Sequence, residues 1–257
     1  MTGARLLRGL HVPGDPLVLP NVWDAASARV LVGAGFPAVA TASAAVSAAL
    51  GYPDGHGVPA DEAFAAIRRV AAAVGVPVTA DVERGYGLPP EVIAERLAEA
   101  GAVGCNLEDS DPETGRLVDV AEQVEFLAAV RAADPELVIN ARVDVFALDP
   151  GTAGPGVPGD GTGAAFEEAV RRARAYLGAG ADCVYPITMP AGHLAAFVRE
   201  VGGPVNHLHV PGSPTPVEAA GLGVARVSLG PGLHRLLMAR LGELAADLRA
   251  GRSPYPG

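Results

Sequence analysis

A chain of 257 residues that is 49% hydrophobic and 19% charged can bury a large core, which excludes a disordered or fibrous protein. Its formal net charge of -10 and pI near 5.0 argue against a nucleic-acid partner, because nothing neutralises a phosphate backbone broadly, although single arginines can still grip a small anion. All 19 basic residues are arginine, and the absence of lysine removes Schiff-base aldolases, pyridoxal-phosphate enzymes anchored through lysine and P-loop nucleotide enzymes.

Short aliphatic runs alternate with alanine-rich amphipathic segments along the whole chain. Leu17–Pro20 reads as a strand, followed by a helix capped by Asp24 that runs to about Val32. Ala38–Thr41 is the second strand, with a helix opening near Asp61 after a loop. Pro77–Ala80 is the third, paired with a helix over Pro89–Ala100, where proline at the start gives up an N–H that would be unpaired anyway. Val103–Leu107 leads to Val120–Ala132, and Leu137–Ala141 leads across a long loop to Ala164–Leu177. Cys183–Pro186 precedes Ala191–Glu200, Val205–His207 precedes Pro216–Leu222, and Arg226–Leu229 precedes Leu233–Leu248. Eight strand–helix units at about 250 residues point to a single-domain α/β fold, the closed (β/α)8 TIM barrel, over 1–257. An open Rossmann-like sheet is the weaker alternative, because the first strand runs into Pro20-Asn-Val-Trp-Asp24 rather than a glycine-rich turn.

The segment 149–163 is rich in Gly and Pro and longer than most barrel loops. It reads either as a surface insertion or as a lid over the barrel mouth. Cys105 and Cys183 each fall in a buried strand and carry no disulfide or metal-ligand spacing. Met1 to Gly14 lacks the apolar run of a signal peptide and no stretch is long enough for a membrane span, so a cytoplasmic location is expected.

In a barrel of this kind chemistry sits at the C-terminal ends of the strands. There the sequence delivers Asp81 and Glu83, then Glu108 and Asp109, then Asn140, Arg142 and Asp144, and finally Asn206. Two residues apart on an extended strand, Asp81 and Glu83 point the same way, and Glu108 from the neighbouring strand can converge on them. Carboxylates brought together are costly unless a cation compensates. An oxygen-only set without His or Cys suits Mg²⁺, with Mn²⁺ as a substitute. Arg142 can take a substrate carboxylate in bidentate fashion, and the plain alternative is an internal Arg–Glu ion pair. The six histidines are scattered; His56, near Asp54, and His207 or His209 are the ones placed to meet a pocket. Trp23 is expected to pack beneath the barrel mouth, and Gly230-Pro-Gly232 reads as a turn rather than a phosphate site.

Together these residues resemble the isocitrate lyase/phosphoenolpyruvate mutase superfamily, and within it the phosphonomutase-like group. The blocks that carry the likeness are Leu50-Gly-Tyr-Pro-Asp54, Ala80-Asp-Val-Glu-Arg-Gly-Tyr-Gly87, Asn106-Leu-Glu-Asp109 and Ile139-Asn-Ala-Arg-Val-Asp144, in order and at matching spacing. The resemblance implies that Asp81 binds Mg²⁺ directly and that Glu83 and Glu108 hold it through water. It implies a loop after the second strand, Thr41, Ala42, Ser43 and Ala44, whose N–H groups and a hydroxyl (Ser43 or Thr41) cradle the substrate. It places Asp54 near the reacting carbon, Arg142 on the substrate carboxylate and Asn206 on the far wall. A homo-oligomer, dimer or tetramer, also follows, with the last helices often exchanged between neighbours.

The departures narrow the chemistry. Lyases of the superfamily carry a Lys-Lys/Arg-Cys-Gly-His loop after the Glu-Asp pair and mutases use a lysine and an asparagine there. This chain has Ser110 to Val118 instead, a segment expected to be a short solvated turn with Arg116 its one basic residue. The expectation is a Mg²⁺-dependent enzyme that acts on a small 2-oxo or 2-hydroxy carboxylate through an enolate, of C–C lyase or decarboxylase type. Phosphonopyruvate hydrolase or mutase chemistry, a metal-dependent pyruvate aldolase, and a non-catalytic barrel retained for binding are the competing readings.

Overall fold

A computed structural model describes residues 2–55, 57–148 and 163–255. The described residues form eleven strands: β1 (Leu17–Leu19), β2 (Asn21–Val22), β3 (Val39–Thr41), β4 (Val78–Asp81), β5 (Gly104–Leu107), β6 (Ser110–Asp111), β7 (Arg116–Leu117), β8 (Val138–Val143), β9 (Cys183–Pro186), β10 (Asn206–Leu208) and β11 (Arg226–Ser228). The α-helices are α1 (Gly3–Gly9), α2 (Ala25–Gly33), α3 (Ser43–Leu50), α4 (Ala60–Ala71), α5 (Pro90–Ala100), α6 (Val120–Ala133), α7 (Gly163–Gly178), α8 (Leu194–Val201), α9 (Pro216–Gly221) and α10 (Gly232–Arg249).

The strands pair in parallel as β2-β3-β4-β5-β8-β9 and β1-β11-β10, with β6 and β7 forming a separate antiparallel hairpin. Two joints close the ring. β1 and β2 are one stave interrupted at Pro20, which has no N–H to give the ladder but whose carbonyl still accepts from Ala40 N at 3.0 Å. On the far side a parallel bridge between Val184 and Val205 joins β9 to β10. Eight staves therefore form a (β/α)8 barrel, as the alternation of segments anticipates.

Apolar side chains on the outer faces of the staves pack against the helices in one cluster that includes Ile93, Leu97, Leu127, Ile139, Tyr176 and Phe197. A second cluster seals the N-terminal end of the barrel, where Ala4 and Leu7 of α1 meet Leu17, Leu19, Ala40 and Val138. That closeness requires glycine at 104, since a Cβ there would lie 3.0 Å from Leu7 Cδ2 and 2.9 Å from Thr79 Oγ1. Asp182 ties the same end together. Its carboxylate accepts from Arg8 Nε of α1 at 2.6 Å, Arg131 Nη2 of α6 at 2.6 Å and the Ile139 N–H of β8 at 2.8 Å.

Three elements escape the sequence reading. α1 is short and amphipathic, and α3 is an alanine-rich turn that begins at Ser43, so the supposed loop after the second strand is the end of β3 and the start of a helix. The 110–117 segment is a short hairpin whose turn, 112–116, is exposed as the solvated-turn reading expects, while its base is joined to its surroundings by Ser110 and by the Val118 carbonyl, which accepts from Arg172 Nη2 at 3.0 Å. Residues 149–162 and His56 lie outside the described residues, so the lid and the His56 expectation rest on the sequence alone; Gly163 opens α7. Among the described residues no helix is long and apolar enough to cross a membrane.

Asp182→Ala removes the acceptor of three donors that join α1, α6 and β8. Discounted for the partial exposure of both arginines, the loss is expected to be about 2–3 kcal/mol. Equilibrium unfolding in urea measures it, and a change below about 0.5 kcal/mol, the size of an ordinary surface substitution, contradicts the account.

Candidate active site

At the C-terminal ends of the staves a cavity of about 590 Å³ is lined by Ser43, Asp54, Asp81, Glu83, Glu108 and Arg142, with Ala42 and Ala44 beside them. Eight of the ten residues singled out from the sequence therefore meet there. Asp81 ends β4 and is held from two sides. Its N–H donates to Thr41 Oγ1 at 2.9 Å, and its Oδ2 accepts from the N–H and hydroxyl of Ser43 at 3.1 and 2.9 Å. Ser43 opens α3, so this N–H is one of the donors a helix start leaves unpaired. The expected substrate cradle is thus occupied by the chain's own carboxylate, and Thr41 is a brace for Asp81 that does not line the cavity. The other carboxylate oxygen, Oδ1 of Asp81, is buried without a hydrogen-bond partner.

Glu83 does not share an extended strand with Asp81. β4 stops at Asp81, and Glu83 adopts φ 52°, outside any extended run, yet its buried side chain still reaches the same cavity. Glu108 N donates to Glu83 O at 2.9 Å, which ties the two segments. Burial pushes the Glu108 carboxyl up to about 8; Arg142 opposes the rise, while Asp144, Asp81 and Glu83 add to it.

Arg142 carries the ion pair that was the plain alternative, and a second one with it. Nη1 donates to Glu108 Oε1 and Nε to Asp144 Oδ1 at 2.7 Å, leaving Nη2 as the nitrogen without a hydrogen bond to the described residues. A free bidentate fork for a substrate carboxylate is therefore not presented. Behind Arg142 the order continues inward: Ser110 Oγ donates to Asp144 Oδ2 at 2.8 Å, and Asp144 N donates to Asp109 Oδ1 at 2.7 Å. The other oxygen of Asp109 accepts from Tyr176 Oη at 2.6 Å and Arg172 Nη1 at 2.9 Å, both from α7. Burial and the charge of Asp144 lift Asp109 to about 6 against the pull of Arg172.

Asp54 lies exposed at the rim, and its carboxyl is raised first by partial desolvation and then by Asp81. Asn206 is fully buried and does not line this cavity. It donates from Nδ2 to Ser228 Oγ at 3.1 Å and borders a second cavity of about 320 Å³ beyond Thr188 and Leu208. His207 and His209 both turn to the Pro214 carbonyl, at 3.2 and 3.0 Å, and neither lines the main cavity. Trp23 packs edge-on against His234 of α10 at 5.0 Å. The N–H groups of Leu229 and Gly230 donate to Asn21 Oδ1, so that turn has no N–H to spare for a phosphate. Burial pushes both thiols, Cys105 and Cys183, up to about 12, which removes them from acid–base work at neutral pH.

The lining also contains Asn21, Asn106, Tyr185 and Ser228, which the sequence reading passed over. A signal for one was available: Asn106 stands two residues before Glu108, and strand alternation puts both on the inner face. Among the described residues no three acidic, histidine or cysteine side chains close on one point. An oxygen-liganded ion here would draw most of its shell from water or ligand, which is the habit of Mg²⁺.

Comparison with known proteins agrees with this architecture. The family model for phosphoenolpyruvate phosphomutase matches residues 7–249. The crystal structure of a Burkholderia cenocepacia J2315 protein assigned as a phosphonomutase is 40% identical, with a TM-score of 0.85 over 95% of this chain and 99% of that one. A 2,3-dimethylmalate lyase is 25% identical, with a TM-score of 0.84 over 100% and 89% of the two chains. A phosphonopyruvate hydrolase in complex with oxalate and Mg²⁺ is also 25% identical, with a TM-score of 0.82 over 98% and 89%. The chain belongs to the phosphoenolpyruvate phosphomutase family, within the isocitrate lyase/phosphoenolpyruvate mutase superfamily that contains C–C lyases, mutases and hydrolases.

Proposed function

We propose that this protein is a Mg²⁺-dependent enzyme of lyase type that binds a small 2-oxo or 2-hydroxy carboxylate and cleaves a C–C bond through an enolate. The observation that carries the reading is the meeting of Asp81, Glu83 and Glu108 with Arg142 on one cavity, where Asp81 keeps an unpartnered buried oxygen. The donor set fits a hard divalent cation, with Asp81 as its direct ligand and Glu83 and Glu108 reaching it through water. Such an ion, when bound, would stabilise negative charge on the substrate's oxygens. Arg142, fixed in place by Glu108 and Asp144, offers Nη2 to a carboxylate oxygen. Asp54 lines the same cavity with a carboxyl raised by desolvation, and we assign it as the group that holds or releases a proton.

C–P cleavage is the second reading, favoured by the likeness to a phosphonopyruvate hydrolase bound to oxalate and Mg²⁺. Without lysine or asparagine the 110–117 hairpin weighs against phosphoryl migration, and without cysteine or histidine it leaves the proton of C–C cleavage to another group.

The working form is proposed to be a homo-oligomer. α10 buries none of its residues, and Leu236, Leu237, Met238 and Leu241 stand exposed along it beside a crevice lined by Trp23 and Val30.

Oxalate mimics a pyruvate enolate. With Mg²⁺ present, oxalate at about 100 times its Kd is expected to stabilise the fold by about 2.7 kcal/mol, seen as a Tm rise of roughly 5–10 °C. Asp81→Ala abolishes the rise; an equal rise in that variant contradicts the metal assignment. Assayed on oxaloacetate, phosphonopyruvate, methylisocitrate and 2-alkylmalates, the enzyme is expected to turn over a C–C substrate faster than phosphonopyruvate. The reverse order selects the C–P reading, and retained binding without turnover selects the non-catalytic barrel. Light scattering coupled to gel filtration should give the mass of a dimer or tetramer, reduced by Leu236→Glu with Leu241→Glu; a monomeric wild type overturns the oligomer.

A further inference from the structure

The largest fully buried side chain is Arg226, on the inner face of β11, and no carboxylate among the described residues is within ion-pair distance of it. A guanidinium can only donate hydrogen bonds. Its Nη2 donates to Asn106 Oδ1 and its Nε to Ser228 Oγ, both at 3.2 Å, while Nη1 is buried without a partner. Each acceptor takes a second donor from the same layer: Asn140 Nδ2 reaches Asn106 Oδ1 at 2.8 Å, and Asn206 Nδ2 reaches Ser228 Oγ at 3.1 Å.

The count of lone pairs then fixes which way these two residues face. Asn106 has its carbonyl oxygen turned to the barrel interior by two donors, so its NH₂ group is what remains for the cavity it lines. Ser228 has both lone pairs engaged from below, and its hydroxyl proton is left for the cavity as well. Neither group donates to any described residue.

We propose that Asn106 and Ser228 form a donor floor that binds the anionic oxygens of the ligand, and that Arg226 is the positioning residue that turns both donor ends toward the cavity. The ligand class is a compact carboxylate with adjacent oxygens, and in this respect the proposal rests on the reading of the cavity given above. The floor is distinct from Arg142 and from the acidic wall, since it supplies neutral donors rather than charge.

Isothermal titration with oxalate in the presence of Mg²⁺ tests it. Ser228→Ala is expected to weaken oxalate by about tenfold, and Asn106→Asp, which turns a donor into a repelling acceptor, by about a hundredfold, in line with hydrogen bonds to charged groups. Arg226→Met is expected to weaken oxalate by at least the Ser228→Ala factor, while the thermal shift given by Mg²⁺ alone in Ser228→Ala and Arg226→Met stays at the wild-type value. Asn106→Asp gains an ion pair with Arg226 and should melt no lower than wild type, so its loss of affinity cannot be ascribed to unfolding. Wild-type affinity retained in Ser228→Ala and Asn106→Asp overturns the donor floor and leaves the site reading standing. No oxalate binding by the wild type overturns both.

Discussion

The guanidinium of Arg142, clasped between Glu108 and Asp144, is the contact on which the C-terminal end of the barrel depends. Asp81, Glu83, Glu108 and Asp144 occupy one small, poorly solvated region, and crowding acids in this way costs heavily without a fixed cation. Arg142 supplies the charge, and Asp109 supplies the fixity. By accepting the Asp144 N–H it sets the turn that follows β8, and by accepting from Tyr176 and Arg172 it anchors that turn to α7. The charge balance of the mouth is thus set by a helix whose own residues do not line it.

The two ends of the barrel use different physics. At the N-terminal end apolar packing dominates, with α1 seated against the staves through Leu7 and the Asp182 clasp at its edge. At the C-terminal end the side chains are polar and each brace has a donor or acceptor partner in the chain, apart from the few atoms that face inward or toward the cavity. Between the ends lies a layer of amides and one guanidinium, Asn106, Asn140, Asn206 and Arg226, where barrels ordinarily place branched aliphatic residues. Such a layer trades packing density for hydrogen-bond direction.

Strand–helix alternation, the Asp24 helix cap and the acidic strand ends were legible in the sequence because each follows from local chemistry: period, capping and charge. Asp24 is a case in point, an N-cap read from sequence and found accepting from Ser27 N at 2.7 Å. What was not legible came from tertiary pairing. Ser43 looks like a free hydroxyl until Asp81 is brought to it from β4, and Arg142 looks like an open fork until Glu108 and Asp144 fill it. Glu83 fits an extended strand on paper because nothing local announces φ 52°. Thr41 and Asn206 sit on the right staves, one brace and one interior amide, a step away from the cavity they were expected to line. Arg226 gave no signal at all, since an arginine in a strand reads as a surface residue unless its neighbours across the ring are known.

The polarity of the interior layer has a consequence for how a ligand arrives. The chain carries a net charge of -10, so at long range its field repels an approaching dianion. At contact the Asn106 amide and the Ser228 hydroxyl present donors, backed by the buried charge of Arg226, and the local potential at the floor has the opposite sense. For such a ligand salt would screen the far repulsion first and leave the buried contacts nearly untouched. Capture would therefore quicken with ionic strength while escape stays nearly constant, the reverse of what electrostatic steering gives.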